Sequence, residues 1–305
     1  MGVDAYMIAT RRDADPNALP EPFVVIDRSA IGLHAWIRAF STVIESRLGD
    51  EVFVGYRCNI EKAEIQDAAM IASRCSVEPG AIVGEAAWVC AGARIDSGVR
   101  IGRGAVVGAG AHVVADVPDL TLALGRPATR FISRRVTDAV SLPSPIETIR
   151  SVLRRSDFYQ MPWPEGSVVE ADVLNDARLH GGKGVKVGGE SVLMGRSTAG
   201  TPHGGIQIGS GVEIGEKCIL EASGGLKIGD RSVIGAGVTI LTSSHDHTKF
   251  HLPHVAAPVC IGADVTIEPG AMLIGPLCVN DGALVRSNHI VKQTIEENAI
   301  SHSIV

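Results

Sequence analysis

"IQDAAMIASRCSVEPGAIVGEAAWVCAGARIDSGVRIGRGAVVGAGAHV", residues 65–113, decides the fold. Ile65, Ile71, Val77, Val83, Val89, Ile95, Ile101, Val107 and Val113 are aliphatic at every sixth position without a miss. Four positions after each of the first eight comes a small or β-branched side chain: Ala69, Cys75, Ala81, Ala87, Ala93, Val99, Ala105 and Ala111. An amphipathic helix has a period of about 3.6 and a half-buried strand a period of two, and neither produces six. Short strands joined by tight turns do. One large aliphatic points inward, a glycine or polar residue turns the chain, and a small residue fills the corner. Stacked coils then bury a continuous aliphatic column, with backbone hydrogen bonds running from coil to coil.

The period extends in both directions. Upstream, Ile31, Ile37 and Val43 fit it, although "SAIGLHAWIRAFSTVIESRLG" also reads as an amphipathic helix. The continuation into the repeats favours strands, with a register slip near Gly49 to Asn59. Downstream, Ile208, Ile214 and Leu220 are in step, then after a slip of two positions Ile228, Ile234 and Ile240. A third run follows with Ile261, Ile267, Leu273, Val279, Val285 and Val291. Between the arrays, Ser144, Pro145 and Glu147 make a capping box ahead of Ile146, Ile149, Val152 and Leu153, which predicts one helix over 145–156. The expected fold class is all-β, two tandem parallel β-helices joined by a short helical connector. The expected organisation is a flexible N-terminus at 1–22, a first β-helix at 23–136, the connector at 137–165 and a second β-helix at 166–305.

Composition agrees with that architecture. Thirty-five glycines beside 4% aromatics imply many tight turns and a core of Ile, Val and Ala. A net charge of -6 supplies no basic field, so nucleic acid is not an expected partner. There is no uninterrupted apolar stretch of membrane-spanning length, and the polar N-terminal segment carries no signal-like apolar run. Cys58, Cys75, Cys90, Cys218, Cys260 and Cys278 form no CxxC pair. They read as small buried thiols in a reducing cytoplasm, not as a disulfide or zinc frame.

Hexapeptide repeats of this kind resemble the left-handed β-helix acyltransferase superfamily. The resemblance implies homotrimers that transfer acyl groups from coenzyme A to hydroxyls or amines, at grooves between neighbouring β-helices, with no metal. In the first array, "VVGAGAHVVADVPDLTLALGRPATRFISRR" (106–135) is similar to the family's closing segment, with Gly125, Arg126, Pro127 and Ala128 at its turn. Arg126 and Arg130, with Arg134 and Arg135, would there meet the nucleotide phosphates of the coenzyme, which suit guanidinium groups. "AAWVCAGARI" (86–95) resembles the family's Trp-containing coil, so Trp88, Ala91 and Ala109 become candidates for the pantetheine groove. Ser287 and Lys292 are the corresponding candidates in the second array.

The second array breaks its own rhythm at "TSSHDHTKFHLPH", residues 242–254, which holds four of the ten histidines. The surrounding stretch resembles galactoside and maltose O-acetyltransferases, the second half of the chain matching them better than the first. In those enzymes a histidine opens a longer loop, here 242–258, and His245 is the matching residue. An aliphatic prism carries no proton acceptor, and an imidazole neutral near pH 7 supplies one. Asp246, His247 and Lys217 become candidate acceptor-binding residues, although Lys217 stands where the family has an asparagine. His251 and His254 are expected to line or stabilise the loop.

The expected activity is therefore acetyl-CoA-dependent O-acetyl transfer to a sugar or glycosylated small molecule, with His245 as base at an inter-helix groove. Two rivals stand beside it. A γ-carbonic-anhydrase-like metalloenzyme needs a His-x4-His pair and a distant third histidine, whereas the spacings after His245 are 2, 4 and 3. A non-catalytic β-helix scaffold would make the histidine loop a solvated excursion.

Overall fold

The computed structural model describes residues 23–137, 162–175, 177–195 and 204–301. The expected connector helix at 145–156 and the N-terminal segment at 1–22 lie outside them. The described residues contain strands and turns and no helix. They form two compact units, each an all-β parallel solenoid.

The first unit stacks its strands into three sheets of six, five and seven strands, parallel throughout except for the last pair of the third. Inside it, the side chains from the sequence period form one column. Ile65, Ile71, Val77, Val83, Val89, Ile95, Ile101, Val107 and Val113 are all buried, as are the small residues from Ala69 to Ala111. Three hexapeptides make one coil, so Trp88 pairs in register with Met70 on one side and Val106 on the other. Each coil hangs on the next through bonds such as Trp88 N–H to Ala105 O, 2.8 Å, and Cys90 N–H to Val107 O, 2.9 Å. Each tight corner places one residue in the left-handed region; Gly98 (φ 73°) and Gly104 (φ 58°) show why glycine is abundant, because it enters that region without a Cβ penalty.

The early coils differ from the expectation in where they slip. Ile26, Val43, Ile60 and Val77 are in register at intervals of 17, and the full three-hexapeptide interval appears only from Val77 to Ile95. The interior residues Val43 and Leu48, and Ile60 and Ile65, are therefore five apart, while Leu48, Val54 and Ile60 keep six. The shortened corners turn at Glu45 and Lys62, both at φ 47°. They flank the stretch from Gly49 to Asn59, which itself stays in step.

The first unit ends in an antiparallel hairpin, Thr121–Gly125 with Ala128–Ser133, which continues the seven-stranded sheet. It also contains His247–Leu252. Arg134, 8% exposed, donates from Nε to His247 O (3.2 Å), from Nη2 to Lys249 O (2.8 Å) and from Nη1 to Gly104 O.

The second unit has sheets of six, six and five strands around a second buried column. Its coils vary in length. Val169, Val187, Ile214, Ile234, Ile267 and Val285 pair each with the next, so their numbers mark the length of every coil. The first and last of these coils keep the three-hexapeptide interval, and those between them are longer. The longest, from Ile234 to Ile267, carries the histidines and is nearly twice the length of the coil that follows it. Even so, Ile240 and Leu273 pair in register across it, and both are fully buried. The insertion leaves from one corner without disturbing the column.

Candidate active site

The histidine stretch is a hairpin where a loop was expected. Ser243–His245 pairs antiparallel with His254–Ala256, and His245 stands directly opposite His254. Their rings are 6.1 Å apart between centroids and nearly perpendicular, at 86°. Beyond them the turn is closed by Asp246 N–H to Pro253 O, 3.1 Å.

The root of this hairpin is built on the coil before it, where the register sets Leu241 beside Glu221. Glu221 gathers both its own coil and the hairpin. One carboxylate oxygen accepts Ser223 N–H (2.7 Å); the other accepts Thr242 N–H (2.9 Å), the Thr242 hydroxyl (3.3 Å) and the Ser243 hydroxyl (3.0 Å). Ser223 Oγ lies 2.9 Å from His254 Nε2. A carboxylate thus fixes the first hairpin strand, and a hydroxyl beside it holds the imidazole on the second. The corner needs glycine. Gly224 N–H donates to Thr242 Oγ1 (2.9 Å), and a Cβ there would collide with the Thr242 carbonyl.

This arrangement offers an imidazole at the rim of a corner, with a second ring edge-on and a hydrogen-bonded frame below. An imidazole so held can accept a proton from a bound hydroxyl and return it, which is the work of a general base.

The other candidate residues sort by corner. Lys292 directly follows the strand Ile290–Val291, in the same sheet as Thr239–Leu241 and Met272–Ile274. It therefore shares the hairpin's corner, two coils on, about 10 Å along the stack at the usual strand spacing. Lys217 does not. It precedes the strand Ile219–Glu221, so it lies about 13 Å of extended chain from Glu221, at the opposite edge of that sheet. Ser287 occupies that same far corner, where its N–H (2.8 Å) and hydroxyl (3.0 Å) both donate to the Glu268 carboxylate. Those bonds hold the Glu268 pKa below the usual carboxylate range, with Arg286 and His289 adding to the effect.

In the first unit the candidates do come together on one sheet and its exit corner. Trp88 pairs with Met70 and Val106 and packs with Trp36, Phe53 and Met70. Ala91 and Ala109 stack at the following corner, joined by Gly110 N–H to Ala91 O, 2.8 Å. Arg126 and Arg130 are exposed on the closing hairpin, Arg130 opposite Leu124. Arg134 departs from the expected phosphate role, because three of its donors are taken by backbone carbonyls.

Sequence reading missed Glu221 and Ser223. The signal was present in the step between the paired residues Glu221 and Leu241, which is two longer than three hexapeptides. The same step taken back from Ser243 reaches Ser223, whereas a strict three-hexapeptide count from Ser243 reaches Gly225 instead. Among the described residues no group of three or more His, Cys, Asp or Glu side chains could hold a metal ion. No helix among them is long and apolar enough to cross a membrane.

No protein-family model matches the chain, and no curated protein does. Solved structures do. A GDP-perosamine N-acetyltransferase variant from Caulobacter crescentus, in complex with CoA and GDP-perosamine, is 29% identical over 36% of this chain and 54% of its own, with a TM-score of 0.36. The acetyltransferase domain of PglB from Neisseria gonorrhoeae is 24% identical over 35% and 54%, TM-score 0.35. A maltose O-acetyltransferase from Clostridium difficile is 19% identical over 44% and 63%, TM-score 0.30. The chain spans about half the length of the first two.

The chain itself supplies the deciding observation, a six-residue period whose large and small members are both buried in register-paired coils. It is a hexapeptide-repeat β-solenoid. Within this hexapeptide-repeat protein the candidate chemistry sits where the repeat is interrupted, at the corner carrying Glu221, Ser223, His245 and His254.

Proposed function

We propose that this protein is a coenzyme A-dependent acyltransferase that acetylates a hydroxyl of a sugar or glycosylated small molecule. The observation that carries the reading is the hairpin neck, where His245 faces His254 above the Glu221–Ser223 frame. In this reading His245 takes the proton of the acceptor hydroxyl while that oxygen attacks the thioester carbonyl. The thiolate of the coenzyme leaves, and the proton passes on to it. Positioned general base catalysis of this kind contributes roughly 10²–10⁴ in rate, about 3–5 kcal/mol of barrier. Asp246 and His247, next in the chain, would contact the acceptor in this reading. The left-handed sense of the coils, the connector helix, the trimer and the cytoplasmic location belong to the same reading.

Two donor surfaces are candidates, one in each unit: Trp88, Ala91, Ala109, Arg126 and Arg130 in the first, and Lys292 in the second. Arg126→Ala combined with Arg130→Ala assigns the donor. A KM for acetyl-CoA raised several-fold places it on the first unit; an unchanged KM places it on the second.

The test of the reading is His245→Ala, with acetyl-CoA and a panel of mono- and disaccharides including amino sugars. Turnover is expected to fall about a hundredfold or more, with the melting temperature nearly unchanged. Full activity in the variant, or none in the parent protein with any acceptor, defeats it.

A further inference from the structure

The second unit presents a pair of cysteines that the proposed acyl transfer does not use. Val259–Ile261 and Leu277–Val279 are parallel neighbours with Cys260 directly opposite Cys278. The flanking Val259, Ile261, Leu277 and Val279 are buried, so both strands are fixed and the two cysteines face outward from the column. Both are half-buried free thiols, reachable from solvent. On the same outward row Lys227 is in register with Cys260 on its other side. Burial, with the neighbouring Cys278 thiol adding to it, holds the Cys260 proton more tightly than usual, while Lys227 pulls the other way.

In-register parallel strands lie about 4.8 Å apart, inside the Cα separation of about 4.4–6.8 Å that a disulfide accepts; the two Cβ atoms leave the sheet in the same direction, so the strands or side chains must close slightly to reach the Cβ separation of about 3.5–4.5 Å. Cys58, Cys75 and Cys218, by contrast, are buried. Cys75 sits deep in the first unit, closed off from an aqueous oxidant.

We propose that Cys260 and Cys278 form an oxidation site that reacts with a hydroperoxide to give one intrachain disulfide across neighbouring coils. With hydrogen peroxide, one thiolate attacks a peroxide oxygen, becoming a sulfenic acid as the O–O bond breaks and the first water leaves. The second thiolate attacks that sulfur, the S–O bond breaks and a second water leaves. Two thiols lose two electrons and two protons, and one hydroperoxide is reduced. The new bond closes a single coil, from Cys260 to Cys278, immediately after the histidine hairpin.

The experiment uses the full chain with hydrogen peroxide, alkylation of remaining thiols, and mass spectrometry of an unreduced digest. The expected result is one cross-linked peptide pair joining Cys260 to Cys278, lighter by two hydrogens, with two free thiols lost per chain and both restored by dithiothreitol. Cys260→Ser and Cys278→Ser, whose side chains leave the buried column untouched, each abolish the cross-link. Sulfinic or sulfonic acid on either cysteine without a cross-link overturns the proposal. So does a cross-link joining two chains, or a pair that stays reduced while Cys90 is oxidised.

Discussion

The two solenoids obey one packing rule and differ in how strictly they keep its count. In the first, every coil from Ile26 to Val113 has the three-hexapeptide length or falls one short of it. In the second, the coils from Val187 to Ile214, from Ile214 to Ile234 and from Ile234 to Ile267 all exceed it, each by a different amount. The interior does not register the difference, because Ile240, Ile261 and Leu273 are as buried as Ile95 or Val89. Strand pairing and an aliphatic column set the stability of a coil, and its corners are free to lengthen. Irregularity at a corner therefore costs the stack little, and it is there that a polar side chain can be displayed.

That contrast is broken most sharply by cutting the hairpin out. Deleting the segment from Ser243 to Ala256 brings this coil close to the length of the one that follows, from Ile267 to Val285. The shortened protein is expected to keep its β-sheet circular dichroism and to lose acyl transfer entirely. If the second unit unfolds instead, the hairpin is part of its stack and the division between column and corner is wrong; any loss confined to the first unit reports the Arg134 bonds to His247 and Lys249.

The converse change touches only the column. Ile240→Ala in the second unit and Ile95→Ala in the first remove the same bulk from equivalent, fully buried positions. Each is expected to cost about 2–5 kcal/mol, read by urea unfolding, and the two losses should agree within about 1 kcal/mol if the columns pack alike. A much smaller loss at Ile240 would mean that the longer coils relax around cavities.

Between these extremes stands Glu221, which belongs to both column edge and corner. Glu221→Ala leaves two N–H groups and two hydroxyls of Ser223, Thr242 and Ser243 without their acceptor. The half-buried setting puts the cost at about 1–3 kcal/mol. Turnover should fall as the hairpin root loosens, by less than in His245→Ala. Stability that drops while kcat stays at the parent value would separate the frame from the chemistry.

The fold was legible from residues 65–113 alone because a solenoid is a local rule repeated. Each hexapeptide states its own inward residue and its own corner, and nothing distant must be known. The site was less legible for the same reason. Which residues meet at a corner depends on coil length, and coil length is the quantity the second array varies. His245 could be picked out as an interruption, and His254 as its companion in the loop. Glu221 and Ser223 could not be joined to them without knowing that their coil runs two positions long. Lys217, placed by resemblance, lies at a different corner from His245 within the chain. Arg134 shows a second limit. Its charge reads as a phosphate ligand in sequence, while its guanidinium is committed to the carbonyls of His247, Lys249 and Gly104.

The smallest expected difference lies in the acid response of a corner with no insertion. At Glu268 the carboxylate accepts the N–H and hydroxyl of Ser287, which lowers its pKa in the folded chain relative to an unfolded value of about 4.3. A depressed carboxylate stabilises the fold fully above the unfolded value, where both states are ionised. The contribution fades as pH falls below that value and is gone once the folded group is also protonated. Ser287→Ala removes the hydroxyl but keeps the backbone donor. It should leave stability slightly lower than in the parent protein at every pH above about 4.3 and make the loss below that value shallower. The carboxylate is open to solvent, which screens the effect. Its measurement is the difference between the two pH–stability curves, and parallel curves would show that the Ser287 hydroxyl bond confers nothing in solution.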